Sequence, residues 1–250
     1  MEIDAYSKIH ELQIKGWWWG YGRNRMIRDL IGKLYGSYEG IKLLDVGCSE
    51  GAFLSYMLGN GVKAEAIDAE ETAINFCQKR GYGDCVKYGD IRKIPYEDNT
   101  FDVVTALDVV EHVKEDTVSI SELMRVCKAG GLVIIILPAH QWLWSSNDEV
   151  VHHVKRYSKK EAVNLLRNFN AGIEFSSYFN MILFPVFVLA TLWRKIFPKP
   201  TESNVVVDTP KPVNYVLCRI MDIENYILTR LNFTMPFGSS MIFICRKNAG

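Results

Sequence analysis

Neither sign of charge is in excess in this sequence of 250 residues, where 29 lysines and arginines balance 29 aspartates and glutamates. A strongly basic surface that would hold nucleic acid is therefore not expected. No Cys-x-x-Cys pair occurs among the six cysteines, and no cysteine and histidine set has the spacing of a zinc site. Scattered cysteines of this kind are typical of reduced thiols, so we expect a cytoplasmic protein without a disulfide framework.

Long apolar runs are missing as well. The N-terminal Met-Glu-Ile-Asp-Ala lacks the basic and apolar regions of a signal peptide. One stretch, 181–193, could suggest a membrane, but Pro185 interrupts it and it is shorter than the roughly 20 residues that cross a bilayer. Two interpretations stay open for it. It is a buried or lid helix, or it makes a peripheral membrane contact through 181–199, where basic residues follow.

Strand-like and helix-like segments alternate at short spacing from residue 41 to residue 137. Apolar runs predict strands at 41–46, 62–67, 84–88, 101–107 and 132–137, with helices at 51–58, 70–80 and 114–127. The uninterrupted apolar run of the last of these strands is typical of a strand that is covered on both faces. Alternation of this kind predicts right-handed crossovers and an α/β fold with a doubly wound, parallel sheet.

After residue 138, strand-like and helix-like segments no longer alternate at short spacing. The remaining predicted elements are a helix at 158–169, strands at 172–178 and 239–246, and a partly basic helical insertion at roughly 180–232. No internal repeat or low-complexity tract divides the chain. We therefore expect a single domain over 1–250, with an N-terminal lid helix at about 1–35 and the insertion as a helical cap.

The most informative stretch is Leu-Leu-Asp-Val-Gly-Cys-Ser-Glu-Gly at 43–51. An apolar run passes through a turn with Gly47 and Gly51 and opens into a helix, which is how a parallel sheet presents backbone amides to a polar or charged ligand. The spacing is Gly-x-x-x-Gly rather than the Gly-x-Gly-x-x-Gly of dinucleotide enzymes. Taken alone, the stretch is equally consistent with a plain strand-to-helix turn.

Acidic residues follow the next two strands. Asp68 stands where a carboxylate can accept hydrogen bonds from both ribose hydroxyls. Asp90 can accept a hydrogen bond from an adenine amino group, with Ile91 packing on the ring. The alternatives are that Asp68 caps the helix that begins near Glu70 and that Asp90 is a turn residue. Together with the glycine turn, the two carboxylates favour an adenosine-containing cofactor.

Several motifs follow one another in order along the chain: Leu-Asp-Val-Gly-Cys-Ser-Glu-Gly, Ala-Ile-Asp, Gly-Asp-Ile, Phe-Asp-Val-Val-Thr-Ala-Leu-Asp-Val-Val-Glu-His-Val and Gly-Gly-Leu-Val-Ile-Ile. Over about 41–140, the sequence thereby resembles class I S-adenosylmethionine-dependent methyltransferases of the small-molecule type 11/12. The resemblance implies a Rossmann-like, mostly parallel seven-stranded sheet with an antiparallel last strand. It also implies S-adenosyl-L-methionine as cofactor and S-adenosyl-L-homocysteine as product.

Roles for individual residues are also implied by the resemblance. Asp45 would orient the glycine loop, and the residues that would wrap the methionine part of the cofactor are Gly47, Cys48, Ser49 and Gly51. Asp68 would take the ribose, Asp90 the adenine amino group, Ala69 and Ile91 the two faces of adenine, and Leu107 and Asp108 the sulfonium end. One departure is Ser49, which stands where many family members have glycine. We expect binding to survive it because serine is small.

An aromatic cluster, Gly-Trp-Trp-Trp-Gly at 16–20, lies near the N-terminus and is followed by Tyr21 and two arginines. Its side chains could close a lid over the pocket, with Arg25 or Arg23 paired with the methionine carboxylate of the cofactor. Alternatively, the aromatic patch fixes an N-terminal helix onto the core. The two interpretations are compatible.

The segment 142–157 follows the fifth strand, at the edge where substrates enter an open α/β fold. It resembles a subgroup of these methyltransferases that is often associated with sugar, glycolipid or natural-product pathways. His153 could take a proton from a hydroxyl or amine nucleophile, Asp148 could orient it, and Arg156 could hold an anionic group. The alternative is a hydrogen-bonded latch in which Asp148, His153 and Tyr157 fix the loop.

A metal is not expected, because the adjacent His152 and His153 are poorly placed to chelate one ion and no cysteine lies nearby. For His112 we expect a structural role at the start of a helix in preference to cofactor proximity or catalysis. Methylation of nucleic-acid bases is disfavoured by Leu-Asp-Val-Val at 107–110, which replaces an Asn/Asp-Pro-Pro-aromatic motif.

The expected function is metal-free, in-line methyl transfer to oxygen or nitrogen of a small molecule. Two alternatives remain. One is a non-catalytic subunit that binds the cofactor or a partner, and the other is an NAD-dependent oxidoreductase, which the missing Gly-x-Gly-x-x-Gly disfavours.

Overall fold

The computed structural model describes residues 11–12, 16–197 and 209–249. Its strands are β1 (Lys42–Val46), β2 (Lys63–Asp68), β3 (Val86–Tyr88), β4 (Phe101–Leu107), β5 (Cys127–Pro138), β6 (Ala171–Phe179) and β7 (Ser240–Lys247). They form one seven-stranded sheet in the order β3-β2-β1-β4-β5-β7-β6. β1 to β5 pair in parallel, and β7 runs antiparallel to both of its neighbours, β5 and β6. The predicted doubly wound, mostly parallel sheet with an antiparallel last strand is confirmed.

Helices cover both faces of the sheet. They are α1 (Trp18–Tyr35), α2 (Ala52–Gly59), α3 (Glu71–Cys77), α4 (Asp116–Val126), α5 (Ser146–Val150), α6 (Lys159–Arg167), α7 (Phe184–Ile196) and α8 (Lys211–Thr229). The predicted helix at 70–80 ends earlier than expected, because a π-helical turn at Gln78–Tyr82 with Gly81 at φ 88° follows α3. β3 accordingly begins two residues later than predicted.

The buried strands divide the core into two layers. In β5, Leu132, Ile134 and Ile136 pack into the layer formed by α1 and α2, while Val133, Ile135 and Leu137 pack into the layer formed by α4 and α6. Successive side chains of a strand point to opposite faces, so an apolar run without alternation is what a strand covered on both sides requires. The layers hold the carboxyl ends of β1, β2, β4 and β5 along one edge.

The region predicted as a helical cap contains α7 and α8, and the predicted N-terminal lid contains α1. Residues 1–10, 13–15 and 198–208, which these predictions also covered, lie outside the described residues. α8 packs closely on α1, since a Cβ on Gly22 would lie 2.6 Å from Met221 Cβ. The boundaries of the lid and the cap stay predictions.

Crossing a lipid bilayer takes a longer and more apolar helix than any among the described residues.

Candidate cofactor site and acceptor loop

The glycine turn after β1 has the backbone conformation that its residues allow. Gly47 has φ 76° and Gly51 φ 74°, in the left-handed region that glycine adopts without strain. A Cβ on Gly47 would lie 2.5 Å from Val109 Cγ2, because the turn packs against the segment that follows β4. Gly51 precedes the first residue of α2, so the turn brings a helix N-terminus to the carboxyl edge of the sheet. The N–H groups of Gly47 and Cys48 themselves donate to the Ile67 carbonyl.

Asp68 joins this turn to the end of β2. Its Oδ2 accepts a hydrogen bond from the Ser49 backbone N–H at 2.8 Å, and its Oδ1 accepts one from the Glu70 N–H at 2.9 Å. A carboxylate offers about four acceptor positions, so lone pairs remain for further donors. Asp68 can therefore cap the start of α3, which it does through Glu70, and still offer acceptor positions for the predicted ribose contact. Burial raises the pKa of Asp68, although the backbone N–H groups oppose that rise.

Ser49, the residue that stands where many family members have glycine, has φ 51°. This left-handed conformation is uncommon for a residue with a Cβ. The hydrogen bond from its N–H to Asp68 holds the residue in that conformation. Cys48, beside it in the turn, is buried.

Asp45 lies beneath the turn, within β1. It is only 2% exposed, and its Oδ1 accepts a hydrogen bond from the Thr105 hydroxyl at 2.8 Å. Burial raises the pKa of Asp45 to about 7, with the Thr105 hydrogen bond and the charge of Arg23 acting in the opposite direction. Asp45 thus lies next to the glycine loop that it was predicted to orient. Its role toward a cofactor stays a prediction.

The predicted adenine contacts lie after β2 and β3. Ala69 is exposed and Ile91 is buried. The Arg92 guanidinium faces Asp90, with Nε 2.9 Å from Oδ1 and 3.1 Å from Oδ2. Hydrogen bonding from Arg92 holds the pKa of Asp90 below its usual range. An adenine amino group would therefore share this carboxylate with a guanidinium, and the contact stays a prediction.

The predicted sulfonium end is at the end of β4, where Leu107 is buried and Asp108 has φ 59°. Arg23 Nη1 lies 2.9 Å from Asp108 Oδ2. Arg25 lies elsewhere, since its Nη1 is 2.6 Å from Oδ1 of Asp222 on α8. Residues two positions apart on a helix project about 200° apart, so only one of the two arginines reaches this edge. Of the two arginines proposed for the contact with the methionine carboxylate, the geometry favours Arg23 over Arg25.

Asp148 organises the acceptor loop, which we define as residues 141–157. It is fully buried, and its Oδ1 lies 2.8 Å from His153 Nδ1 and 2.7 Å from Arg156 Nε. Its Oδ2 accepts a hydrogen bond from the Ser145 N–H at 2.9 Å. Burial opposes ionisation, but His153 and Arg156 outweigh it and hold the pKa of Asp148 below its usual range. The fold brings Asp148, His153 and Arg156 together, whereas Tyr157, the third residue of the predicted latch, bonds to Asp116 instead.

The remaining predicted residues of the loop are also engaged. Arg156 is 7% exposed and donates to the Ala139 carbonyl at 3.2 Å, in addition to its pair with Asp148. Tyr157 is 1% exposed, and its hydroxyl donates to Asp116 Oδ2 at 3.3 Å. Burial and the nearby Asp116 carboxylate raise the pKa of Tyr157 well above its usual range. Neither residue presents its polar group to solvent, so their predicted substrate roles stay predictions.

A cluster of three side chains next to the acceptor loop escaped the sequence analysis. Glu111 and His112 follow β4 in a 3₁₀ turn, and His153 approaches them from the loop. The Glu111 Oε1 lies 3.8 Å from His153 Nε2, and the His112 and His153 ring centroids are 4.9 Å apart. No metal was expected because His152 and His153 are adjacent, whereas the fold brings His153 to Glu111 and His112. The sequence did offer an indication of this cluster, because Glu111-His112 lies shortly after β4, a strand that ends at the same edge of the sheet.

Burial shapes the titration of this cluster. It raises the pKa of Glu111 well above its usual range, with the charge of Asp108 adding to the rise. It lowers the pKa of His112, and the neighbouring His153 lowers it further. His112 is therefore mostly uncharged near pH 7.

Aromatic side chains line the outer side of the acceptor loop. His140 stacks on Tyr178 with ring centroids 5.3 Å apart and interplanar angle 7°, and Phe184 at the start of α7 lies 5.5 Å from His140. Lys195 Nζ of α7 donates to the Trp142 carbonyl at 2.7 Å. The cap helix α7 therefore lies directly against the loop.

A separate cavity of about 1040 Å³ lies between the start of α1 and the start of α8. Its lining includes Trp17, Tyr21 and Tyr215, and no residue that the sequence analysis assigned to the cofactor or to catalysis. We locate the cofactor site at the carboxyl edge of the sheet because the glycine turn and Asp68 converge there, whereas the cavity does not contain them.

Comparison with known proteins gives a family for the central part of the chain. Residues 44–135 match the family described as "Methyltransferase domain". The norajmaline N-methyltransferase of Rauvolfia serpentina is 30% identical over 130 residues, which cover 49% of this chain and 44% of that protein. The demethylmenaquinone methyltransferase of Staphylococcus aureus (strain MRSA252) is 32% identical over 120 residues, covering 46% of this chain and 48% of that protein. The chain thus spans about half the length of these curated relatives.

Solved structures share the fold over most of the chain. A Haemonchus contortus phosphoethanolamine N-methyltransferase 2 in complex with S-adenosyl-L-methionine has a TM-score of 0.59 at 17% identity, covering 90% of this chain and 53% of that one. At this identity the likeness shows the architecture alone. Residues 44–135 of this chain are therefore similar in sequence to methyltransferases, and the fold of the chain is shared with a solved methyltransferase structure.

Proposed function

We propose that this chain is an S-adenosyl-L-methionine-dependent methyltransferase that acts on oxygen or nitrogen of a small molecule with an apolar portion. The observation that carries the proposal is the convergence of the glycine turn, Asp68 and Leu107-Asp108 at the carboxyl edge of β1, β2 and β4. Ligands of open α/β sheets bind at this edge.

The residues present fit this cofactor. A Cβ on Gly47 would meet Val109, so the turn keeps its closed path only with glycine and leads into the N-terminus of α2 at the carboxyl edge of the sheet. Asp68 keeps free acceptor positions for the ribose hydroxyls. Arg23 stands next to the predicted sulfonium end, where a guanidinium can bind the methionine carboxylate. When bound, the cofactor supplies a methyl group activated by a sulfonium.

The protein itself has to align the acceptor with the cofactor and to exclude water from the site. An in-line displacement needs the acceptor atom behind the methyl group, and such positioning accounts for a large part of the rate of bimolecular reactions on enzymes. The acceptor loop follows β5 at this edge, and within it Asp148 holds His153 and Arg156 in place. His153 has side-chain exposure of 13% and its Nε2 points toward buried Glu111, which supports the latch over the role of general base.

An apolar face of α7 supports the proposed class of acceptor. Val186, Leu189, Trp193 and Ile196 follow one face of the helix and are 62 to 68% exposed. Arg194 lies in the last turn of the same helix. We propose that this face contacts an anionic lipid surface from which the acceptor is drawn, because apolar side chains next to basic ones are typical of interfacial helices.

Radiolabelled methyl transfer tests the activity. The protein is incubated with S-adenosyl-L-methionine labelled in the methyl group and with fractionated cell extract, and label is counted in the organic and aqueous phases. We expect label in an organic-soluble product for the unaltered chain and for Asp84→Ala, which removes an exposed carboxylate, and a large loss for Asp68→Ala. No transfer by the unaltered protein to any fraction counts against the proposed activity, and label confined to water-soluble product counts against an apolar acceptor.

Vesicle sedimentation tests the lipid contact separately. The bound fraction is compared on phosphatidylcholine vesicles with and without phosphatidylglycerol. Leu189→Glu on α7 should lower it, while Val118→Glu on α4, another exposed apolar position, should leave it unchanged. Equal binding of the two variants would contradict a contact through α7.

A further inference from the structure

Glu111 is buried, and its carboxyl group makes no hydrogen bond within the described part of the chain. Its side chain is fully inaccessible. A buried polar group normally finds a partner, and a buried carboxylate is costly unless it is paired or binds a metal. Oε1 points toward His153, 3.8 Å from Nε2. This unpartnered acid therefore faces an imidazole nitrogen at a distance too long for a hydrogen bond.

In both neighbouring histidines, His112 and His153, the ring nitrogen Nδ1 has a hydrogen-bond partner. His153 Nδ1 is 2.8 Å from Asp148 Oδ1, and His112 Nδ1 is 3.3 Å from the His152 carbonyl oxygen. A backbone carbonyl and a carboxylate oxygen both accept hydrogen bonds, so these contacts engage Nδ1 of each ring and leave Nε2 as the nitrogen for a further ligand. Metal-binding histidines are oriented in the same way, by a carboxylate or a backbone carbonyl behind the ring.

We propose that Glu111, His112 and His153 bind one Zn²⁺ ion. The ligand atoms of the three side chains lie within 4.8 Å of one another. In a tetrahedral site, two ligands bound to Zn²⁺ at about 2.0–2.2 Å are about 3.3–3.6 Å apart, so side-chain rotations that bring the three ligand atoms closer by about 1 Å complete the site. Two imidazoles and one carboxylate favour Zn²⁺ over Mg²⁺ or Ca²⁺, which prefer oxygen ligands.

The ion would connect two parts of the candidate site. Glu111 and His112 belong to the turn that follows β4, three and four residues beyond Asp108, and His153 belongs to the acceptor loop. Three protein ligands leave a fourth position of the ion for water or for an oxygen of the acceptor. The inference goes beyond the proposed methyl transfer and does not depend on it, because metal binding is measured without cofactor or acceptor.

The test is a metal titration of the full-length, tag-free chain after dialysis against a chelator. Zn²⁺ affinity is measured by competition with a chromophoric chelator, and Co²⁺ is added in place of Zn²⁺ to record the visible absorption of a low-symmetry site. We expect one equivalent of Zn²⁺ and a Co²⁺ spectrum. Glu111→Gln should weaken binding by about 100-fold or more, since loss of a second-shell partner already costs about 10–100-fold.

His152→Asn is the matched control. It removes the adjacent histidine side chain, keeps the backbone carbonyl that orients His112, and suits the φ of 60° at this position because asparagine tolerates it. Its Zn²⁺ affinity should equal that of the unaltered chain. If circular dichroism shows that Glu111→Gln does not fold, His112→Gln is used in its place, and the same loss of Zn²⁺ affinity is expected. Absence of Zn²⁺ and Co²⁺ binding, equal binding by Glu111→Gln or His112→Gln, or binding of Mg²⁺ alone would overturn the proposal.

Discussion

Replacing Asp45 with asparagine should stabilise the protein, and the gain should grow as the pH rises. Asparagine has almost the same shape as aspartate and can still accept the hydrogen bond that Thr105 donates at 2.8 Å. It cannot become charged. Because Asp45 is 2% exposed, ionisation at this position has to occur without water, which is why burial raises its pKa to about 7.

The magnitude follows from the difference between the folded and unfolded pKa values. An aspartate in an unfolded chain titrates near 3.9, and each pKa unit corresponds to about 1.36 kcal/mol. The folded state keeps its proton more tightly, so the free energy of unfolding falls as the pH rises from about 4 to about 7. Ionisation of Asp45 lowers the free energy of unfolding by about 1.5 kcal/mol at pH 5 and by about 4 kcal/mol at pH 8, where the side chain is charged in both the folded and the unfolded state. The advantage of asparagine should therefore increase by about 2.5 kcal/mol between these pH values.

Urea denaturation at pH 5 and at pH 8 measures this change. The difference in the free energy of unfolding between Asp45→Asn and the unaltered chain cancels the titration of all other groups. Asp84→Asn, which removes a charge at an exposed position, serves as the control and should show no comparable change with pH. A gain for Asp45→Asn that is equal at both pH values would refute the assignment of a raised pKa to this carboxyl group.

Two further predictions concern the glycine turn and the acceptor loop. Gly47→Ala should lower the free energy of unfolding more than Gly61→Ala. Both have φ between 76° and 79°, but only the Cβ at Gly47 meets Val109, at 2.5 Å, and the excess should be about 1–3 kcal/mol by urea denaturation. Equal losses would contradict the close contact. Asp148→Ala should cost about 3–5 kcal/mol because it leaves buried Arg156 without its partner, and limited proteolysis should cut the loop first. A loss under about 1 kcal/mol would show that the pair does not hold the loop.

The central sheet could be predicted because its signals are local. β1, β4 and β5 are apolar runs followed by turn residues, and the alternation with helices fixes their parallel pairing. The turn at Gly47 was predictable for the same reason. The short α5 was missed, since its capping box at Ser145 and Asp148 lies in a stretch without helical periodicity.

The candidate site could be predicted only where its residues are close in sequence. Asp148, His153 and Arg156 lie within one segment, and the sequence analysis brought them together correctly. The choice between Arg23 and Arg25 depends on the direction in which α1 packs on α8, which no local pattern records. Glu111 and His153 are far apart in the chain, so their approach depends on how the acceptor loop folds back onto β4.

Binding of S-adenosyl-L-homocysteine tests the central claim most directly. Isothermal titration of the unaltered chain should show one equivalent bound. Asp68→Ala should weaken binding by roughly 10- to 150-fold, the loss expected when hydrogen bonds to a charged group worth about 1.5–3 kcal/mol are removed. Asp84→Ala should bind as tightly as the unaltered chain. No binding by the unaltered chain, or equal binding by Asp68→Ala, would contradict a cofactor site at the edge formed by the glycine turn and Asp68.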